Sequence, residues 1–164
     1  SDNIYLTGWT HRGLLDNVTS FHNYENNDSF LAKFNTNGER IWVKQTDSFG
    51  ENCSHDEAFG LTIKEPSGDI YLAGRAKISC YGYSNTQHGS WDPILIKIDK
   101  NGSDLLMRGF GARTGAEEVT GIAINSFGSI FIIGQSTANY FDGNERKGSR
   151  DGYILKFNSS MEKQ

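Results

Sequence analysis

The chain has 164 residues, with three Trp, seven Tyr and ten Phe but only two Pro, and its 16 Lys plus Arg against 20 Asp plus Glu leave a formal charge of −4. This length suits one domain or a piece of a larger one, the aromatic content excludes a disordered chain, and the mild acidity leaves no basic footprint for nucleic acid. The longest unbroken aliphatic or aromatic run, Ile130-Phe131-Ile132-Ile133, falls far short of the roughly 20 residues of a membrane-crossing helix, and no signal peptide is visible.

In chain order, the first predicted strand is Ile4-Tyr5-Leu6-Thr7-Gly8, and a long connection leads to Asp28-Ser29-Phe30-Leu31-Ala32-Lys33-Phe34. The tight Asn35-Thr36-Asn37-Gly38 turn precedes Arg40-Ile41-Trp42-Val43-Lys44, and Asp56-Glu57-Ala58-Phe59-Gly60-Leu61-Thr62-Ile63 follows another long loop. Glu65-Pro66-Ser67-Gly68 turns into Asp69-Ile70-Tyr71-Leu72-Ala73-Gly74, and a third long connection leads to Asp92-Pro93-Ile94-Leu95-Ile96-Lys97-Ile98. Asp99-Lys100-Asn101-Gly102 then turns into Asp104-Leu105-Leu106-Met107-Arg108. The last strands are Glu117-Glu118-Val119-Thr120-Gly121-Ile122-Ala123-Ile124, Ile130-Phe131-Ile132-Ile133-Gly134 and Asp151-Gly152-Tyr153-Ile154-Leu155-Lys156-Phe157. Short runs rich in β-branched and aromatic residues, bounded by Gly, Asn, Asp or Ser, are strand signatures. No segment keeps a 3.6-residue apolar period over three turns, so essentially no helix is expected. Runs such as Ile94-Leu95-Ile96 predict strands covered on both faces.

These elements are four blocks repeated in a fixed order, and internal repetition is the leading signal in the sequence. Tight turns alternate with long loops, so an up-and-down meander gathers the tight turns at one end and the long loops at the other. Glycines after Asn supply the positive φ that such turns need. Four antiparallel strands per repeat, stacked through apolar faces, form the blade of a β-propeller. On Gly121-Ile122-Ala123-Ile124-Asn125, Asn3-Ile4-Tyr5-Leu6-Thr7-Gly8, Asp28-Ser29-Phe30-Leu31-Ala32-Lys33-Phe34 and Ile41-Trp42, the chain resembles the SBBP-type β-propeller repeat family and, more loosely, the NHL propellers. The loop Phe141-Asp142-Gly143-Asn144, with Gly148 and Asp151, is similar to that family's loop before the third strand, whereas Pro93 and the loop lengths depart from it. The resemblance implies a fold and no fixed activity.

The expected fold is therefore all-β, a propeller segment of stacked four-stranded antiparallel blades. Residues 1–50 read as a partial blade, 55–112 as a complete one and 116–160 as a second partial one. Closed propellers hold about four to eight blades. The expectation is that further blades of the same chain, or neighbouring copies in an oligomer or filament, complete the set by strand addition at open edges.

Residues that could carry chemistry lie mostly in the long loops. Cys53 and Cys80, the only cysteines, fall at the same end of the sheets, which favours a disulfide between them over two exposed thiols. Sequons occur at Asn17, Asn27, Asn52, Asn101 and Asn158. The first three sit at the long-loop end and are the glycosylation candidates, while Asn101 is explained by its turn. Sequons beside a cysteine pair lean towards a secreted or cell-surface protein. His11, His22, His55 and His88 match no ligand spacing and read as solvated. Asp142, Asn144 and Asp151 are weak calcium candidates, since the 12-residue loop with a terminal Glu is absent. Lys33, Lys97 and Lys156 recur five residues after Asp28, Asp92 and Asp151. Odd spacing puts each Lys and its Asp on opposite strand faces, so the lysines read as structural charges meeting a recurring acid such as Glu57 or Glu118. Trp9 and Trp91 flank the long loops and are candidate ligand platforms.

No nucleophile elbow or zinc-protease motif occurs, and no cofactor is expected. The expected function is a non-catalytic extracellular scaffold working by protein–protein contact. The alternative is a lectin-like, glycan-binding propeller, and an enzyme comes third.

Overall fold

The computed structural model describes residues 3–11, 27–45, 56–77 and 91–164. They form β1 (Ile4–Thr10), β2 (Asp28–Phe34), β3 (Arg40–Gln45), β4 (Asp56–Lys64), β5 (Asp69–Ala76), β6 (Asp92–Ile98), β7 (Asp104–Gly109), β8 (Glu117–Ile124), β9 (Ile130–Ser136), β10 (Tyr140–Phe141), β11 (Asn144–Glu145) and β12 (Asp151–Phe157). The all-β expectation holds, and no helix occurs among the described residues. Every pairing between these strands is antiparallel, and an isolated bridge between Trp91 and Ala116 is parallel. The first sheet has the order β1-β2-β3, the middle sheet β4-β5-β6-β7 and the third β8-β9-β12, while β10 and β11 make a small hairpin in the connection before β12. That hairpin was not expected; Asp142 (φ 49°) and Gly143 (φ 80°) form its two-residue turn, the conformation of a type I′ turn.

Burial explains why the three main sheets stack. In the middle sheet, β5 and β6 bury side chains at nearly every position, so both faces are covered. In β1 and β12 buried or half-buried residues alternate with exposed ones, so one face is covered. One core lies between the first and middle sheets, where Leu31 meets Ile70, Leu72, Ile94, Ile96 and Ile98, with Tyr5 and Trp42 packed against it. The other lies between the middle and third sheets, where Tyr71, Ala73 and Leu95 meet Ile130, Ile132, Leu155 and Phe157. Each fully buried aliphatic side chain contributes about 1.5–3 kcal/mol, so the two junctions are a main source of stability. Inter-sheet contacts run from β1 to β4 and from β4 and β5 to β8.

Four tight turns share one construction. The side-chain oxygen of Asn35 accepts hydrogen bonds from the backbone N–H groups of Asn37 and Glu39, both at 2.9 Å. Asp99 does the same for Asn101 and Ser103 at 2.8 Å, Asn125 for Phe127 and Ser129, and Asn158 for Ser160 and Glu162. Such a turn satisfies two donors with one short side chain. The same bonds hold the Asp99 carboxyl below the usual carboxylate range, the N–H of Ser103 contributing most.

The glycine closing each repeat of the second strand also has a physical cause. The ladders between β4 and β5 and between β8 and β9 each carry a bulge, at Ala58/Gly60 and Val119/Gly121. The bulge drives the backbone of the first strand across its neighbour. A Cβ at Gly74 would collide with the Glu57 carbonyl and stand 2.9 Å from Ala58 Cα, and one at Gly134 would collide with the Glu118 carbonyl. Replacing Gly74 with Ala is expected to destabilise the fold by on the order of 3 kcal/mol, read as a lowered urea midpoint with an unchanged slope.

Candidate functional site

Of the residues singled out by sequence, Cys53, Cys80, Asn17, Asn52, His22, His55 and His88 lie outside the described residues. Asn27 is buried, and its amide nitrogen donates to Glu57 Oε1 at 2.5 Å. The fold thus occupies the nitrogen that a glycan on Asn27 would need. Trp9 is exposed and packs edge-on against His11, ring centroids 5.3 Å apart. Trp91 is half-buried, with the Arg75 guanidinium 4.4 Å above its ring. Asp142, Asn144 and Asp151 do line one concavity of about 460 Å³, together with Phe141, Arg146 and Tyr153. The carboxylates of the two aspartates have other partners. Asp142 contacts the Lys163 ammonium, its carbonyl accepts from Asn144 Nδ2, and the Asp151 carboxylate accepts the N–H groups of Lys147 (2.7 Å) and Gly148 (2.9 Å).

The recurring lysines correct one expectation. Lys97 pairs with Asp69 at 3.0 Å rather than with Glu57 or Glu118, and that hydrogen bond, more than any other influence, raises its pKa. Register is the reason. Lys97 stands opposite Tyr71, two residues along β5 from Asp69 and on the same face. Glu57 and Glu118 belong to the other end of their strands, where Arg75 takes both. The same register recurs in every main sheet as Tyr5 opposite Lys33, Tyr71 opposite Lys97, and Phe131 opposite Lys156.

Arg75 is a residue the sequence reading missed. Its Nε donates to Glu57 Oε2 at 2.8 Å and its Nη1 to Glu118 Oε1 at 2.9 Å, while its plane lies over Trp91 and, at 5.3 Å, over Phe59. Glu118 also accepts from Gln135 Nε2 and Arg150 Nη1. With Asn27 on Glu57, a polar belt runs from the first sheet through the middle one into the third. The repetition of Glu57 and Glu118 at the head of β4 and β8 was the available signal, because two like charges at a junction demand a cation.

Beside the belt lies a second, drier feature. Asp28 and Asp92 begin β2 and β6, Asp56 and Glu117 begin β4 and β8, and all four are buried. At the first junction Gln45 donates to Asp28 at 2.6 Å, and the Ser29 N–H points to Asp56 at 3.4 Å. At the second, Asp92 and Glu117 meet above Gly111, where an added Cβ would collide with the Asp92 carboxyl and stand 3.1 Å from Glu117 Oε2. Glu117 accepts from Ser136 Oγ at 2.9 Å and from the Ala112 N–H at 3.0 Å. Among the described residues no neutral donor reaches Asp92. Burial first, then the Glu117 charge and the hydrogen bond to it, push the Asp92 pKa up to about 7. Burial also raises Glu117, against the opposing pull of Ala112, Ser136 and Asp92. Asp92 is therefore the protonated partner, donating to an ionised Glu117, because two adjacent buried carboxylates cannot both ionise cheaply. Burial likewise raises the Tyr153 phenol, with Glu117 and Glu118 adding to it.

The remaining feature is apolar surface. On the third sheet's outward face Ile154 is 72% exposed and Ile133 46%, and the register sets them side by side. Their counterparts in the middle sheet, Leu95 and Ala73, are covered at 0% and 1%. On the first sheet's outward face Ile4 and Leu6 are 48% and 52% exposed, whereas their counterparts Ile70 and Leu72 are fully covered.

No family model matches the chain, and no curated protein matches it significantly.

Two outcomes follow from the junctions. Asp92 releases its proton near 3.8 when unfolded and near 7 when folded. The folded state binds the extra proton in that window, so stability falls as pH rises through it. Urea midpoints should decline from about pH 4 to about pH 7, and Asp92→Asn, which keeps a donor to Glu117, should flatten the decline and gain at least ~1 kcal/mol above pH 7. Arg75→Met leaves Glu57 and Glu118 without their shared cation, and should lower stability by about 2 kcal/mol in the same assay.

Proposed function

We propose that the chain is a non-catalytic scaffold or assembly module of β-propeller type, working by protein–protein contact through sheet faces. The observation that carries this reading is the exposed apolar strip on the third sheet. Ile154 and Ile133 lie open there, although the equivalent residues of the two preceding sheets lie towards or within inter-sheet cores. Contiguous exposed apolar surface on a folded protein marks an interaction site. The four-block repeat, the meander order of the sheets and their face-to-face packing support blades. An extracellular setting rests on the sequons and the two cysteines.

A glycan-binding reading is favoured by one observation, the exposed Trp9 ring beside His11. Sedimentation over a dilution series separates the two. The assembly reading expects concentration-dependent association that Ile154→Lys abolishes without changing the near-ultraviolet circular dichroism. A monomer at every concentration that binds a glycan array, and loses that binding on Trp9→Ala, would establish the other.

A further inference from the structure

The two junctions inside the chain define what each outward face is built to meet. Every main sheet has a giving face and a receiving face. The giving face of the first sheet presents Tyr5, Thr7, Leu31 and Lys33, and that of the middle sheet Tyr71, Ala73, Leu95 and Lys97. Leu31 and Leu95 are both wholly covered by the next sheet. The third sheet presents the same quartet in the same register, Phe131, Ile133, Ile154 and Lys156, and there Ile133, Ile154 and Lys156 are exposed. The receiving face of the middle sheet is Ile70, Leu72, Ile94, Ile96 and Ile98, and that of the third includes Ile130, Ile132, Leu155 and Phe157. The first sheet carries the equivalent set in Ile4, Leu6, Phe30, Ala32 and Phe34, and there Ile4 and Leu6 are exposed. Among the described residues, the three sheets thus display one open face of each kind.

Polar contacts across the junctions repeat as well. Lys33 Nζ on the first giving face donates to the Lys100 carbonyl at 3.1 Å. Tyr71 Oη on the second donates to the Ser159 carbonyl at 3.2 Å. Lys100 and Ser159 hold the same place in their turns, directly after the capping Asp99 and Asn158. In the first sheet that place, directly after Asn35, belongs to Thr36. Phe131 carries no hydroxyl, so on the third face the exposed Lys156, the counterpart of Lys33, is the side chain left to donate.

We propose that a second copy of this chain is the occupant: the third sheet's outward face seats on the first sheet's outward face of the next molecule, head to tail, with Lys156 donating to the Thr36 carbonyl. The proposal rests on the assembly reading and adds the partner, the polarity and the contact. Two different faces meet, so the interface is heterologous, and it propagates until a ring closes or a filament grows.

Two blocking variants test it, Ile154→Lys on the giving face and Leu6→Lys on the receiving face, each first shown to unfold cooperatively. Expected is that neither variant associates alone in sedimentation, while an equimolar mixture forms a one-to-one heterodimer through the single intact pair of faces. Lys156→Met, which keeps the apolar contact, should weaken association of the otherwise unaltered chain roughly tenfold, the cost of one charge-assisted hydrogen bond. If the unaltered chain associates but the mixture yields no heterodimer, the head-to-tail pairing is overturned and the assembly reading stands. If the unaltered chain stays monomeric at every concentration, both fall.

Discussion

The structure depends on burying two faces of one sheet at once. The middle sheet has no solvent side along β5 and β6, so a neighbour is needed on each flank, and the first and third sheets supply them. Here the cover on each side is another antiparallel sheet, whose side chains fill the spaces between those of the middle one. Tyr71 and Leu95 point to one neighbour, Ile70 and Ile96 to the other, and the alternation within each strand decides which residue faces which. Everything polar in the junctions is arranged around that packing.

Polar groups are confined largely to the ends of the strands. At one end, capped turns take hydrogen bonds from the preceding sheet through Lys33 and Tyr71. At the other, the Arg75 belt and the Asp92–Glu117 pair close the seams. The middle of each seam stays apolar. This division matters for specificity, because an apolar seam alone tolerates sliding, whereas a one-residue slip would send every side chain to the wrong face and strand the buried carboxyl groups without partners.

Much of this was legible in the sequence. All ten long strands were expected from their apolar runs and bounding turn residues, and the unbroken Ile94-Leu95-Ile96 correctly announced a strand covered on both faces. Less legible were the contacts between sheets. Lys97 was expected to meet a recurring acid of an adjacent strand or sheet, such as Glu57 or Glu118, and it does meet an adjacent-strand acid, but periodicity gives the face of a strand and not which end of it a neighbour's charge reaches; only the register puts Asp69 beside it. The carboxyl pair escaped notice although Asp28, Asp92, Asp56 and Glu117 each head a repeated block. Their meeting is a property of two strands distant in the chain, and nothing local to either distinguishes it from a turn-capping acid. The β10–β11 hairpin was missed because two-residue strands leave no periodic trace.

The capped turns have a bearing on how the protein ages. Asn37-Gly38 and Asn101-Gly102 are the kind of dipeptide in which the glycine nitrogen attacks the preceding side-chain amide and converts asparagine to aspartate or its isomer. Here both nitrogens are engaged, Gly38 with the Asn35 carbonyl and Gly102 with the Asp99 carbonyl, each at 3.0 Å. That bond must open before the ring can form. The clock of chemical decay at these two sites is thereby set by how often the loop comes undone, and a residue two positions upstream becomes the guardian of its neighbour's covalent integrity.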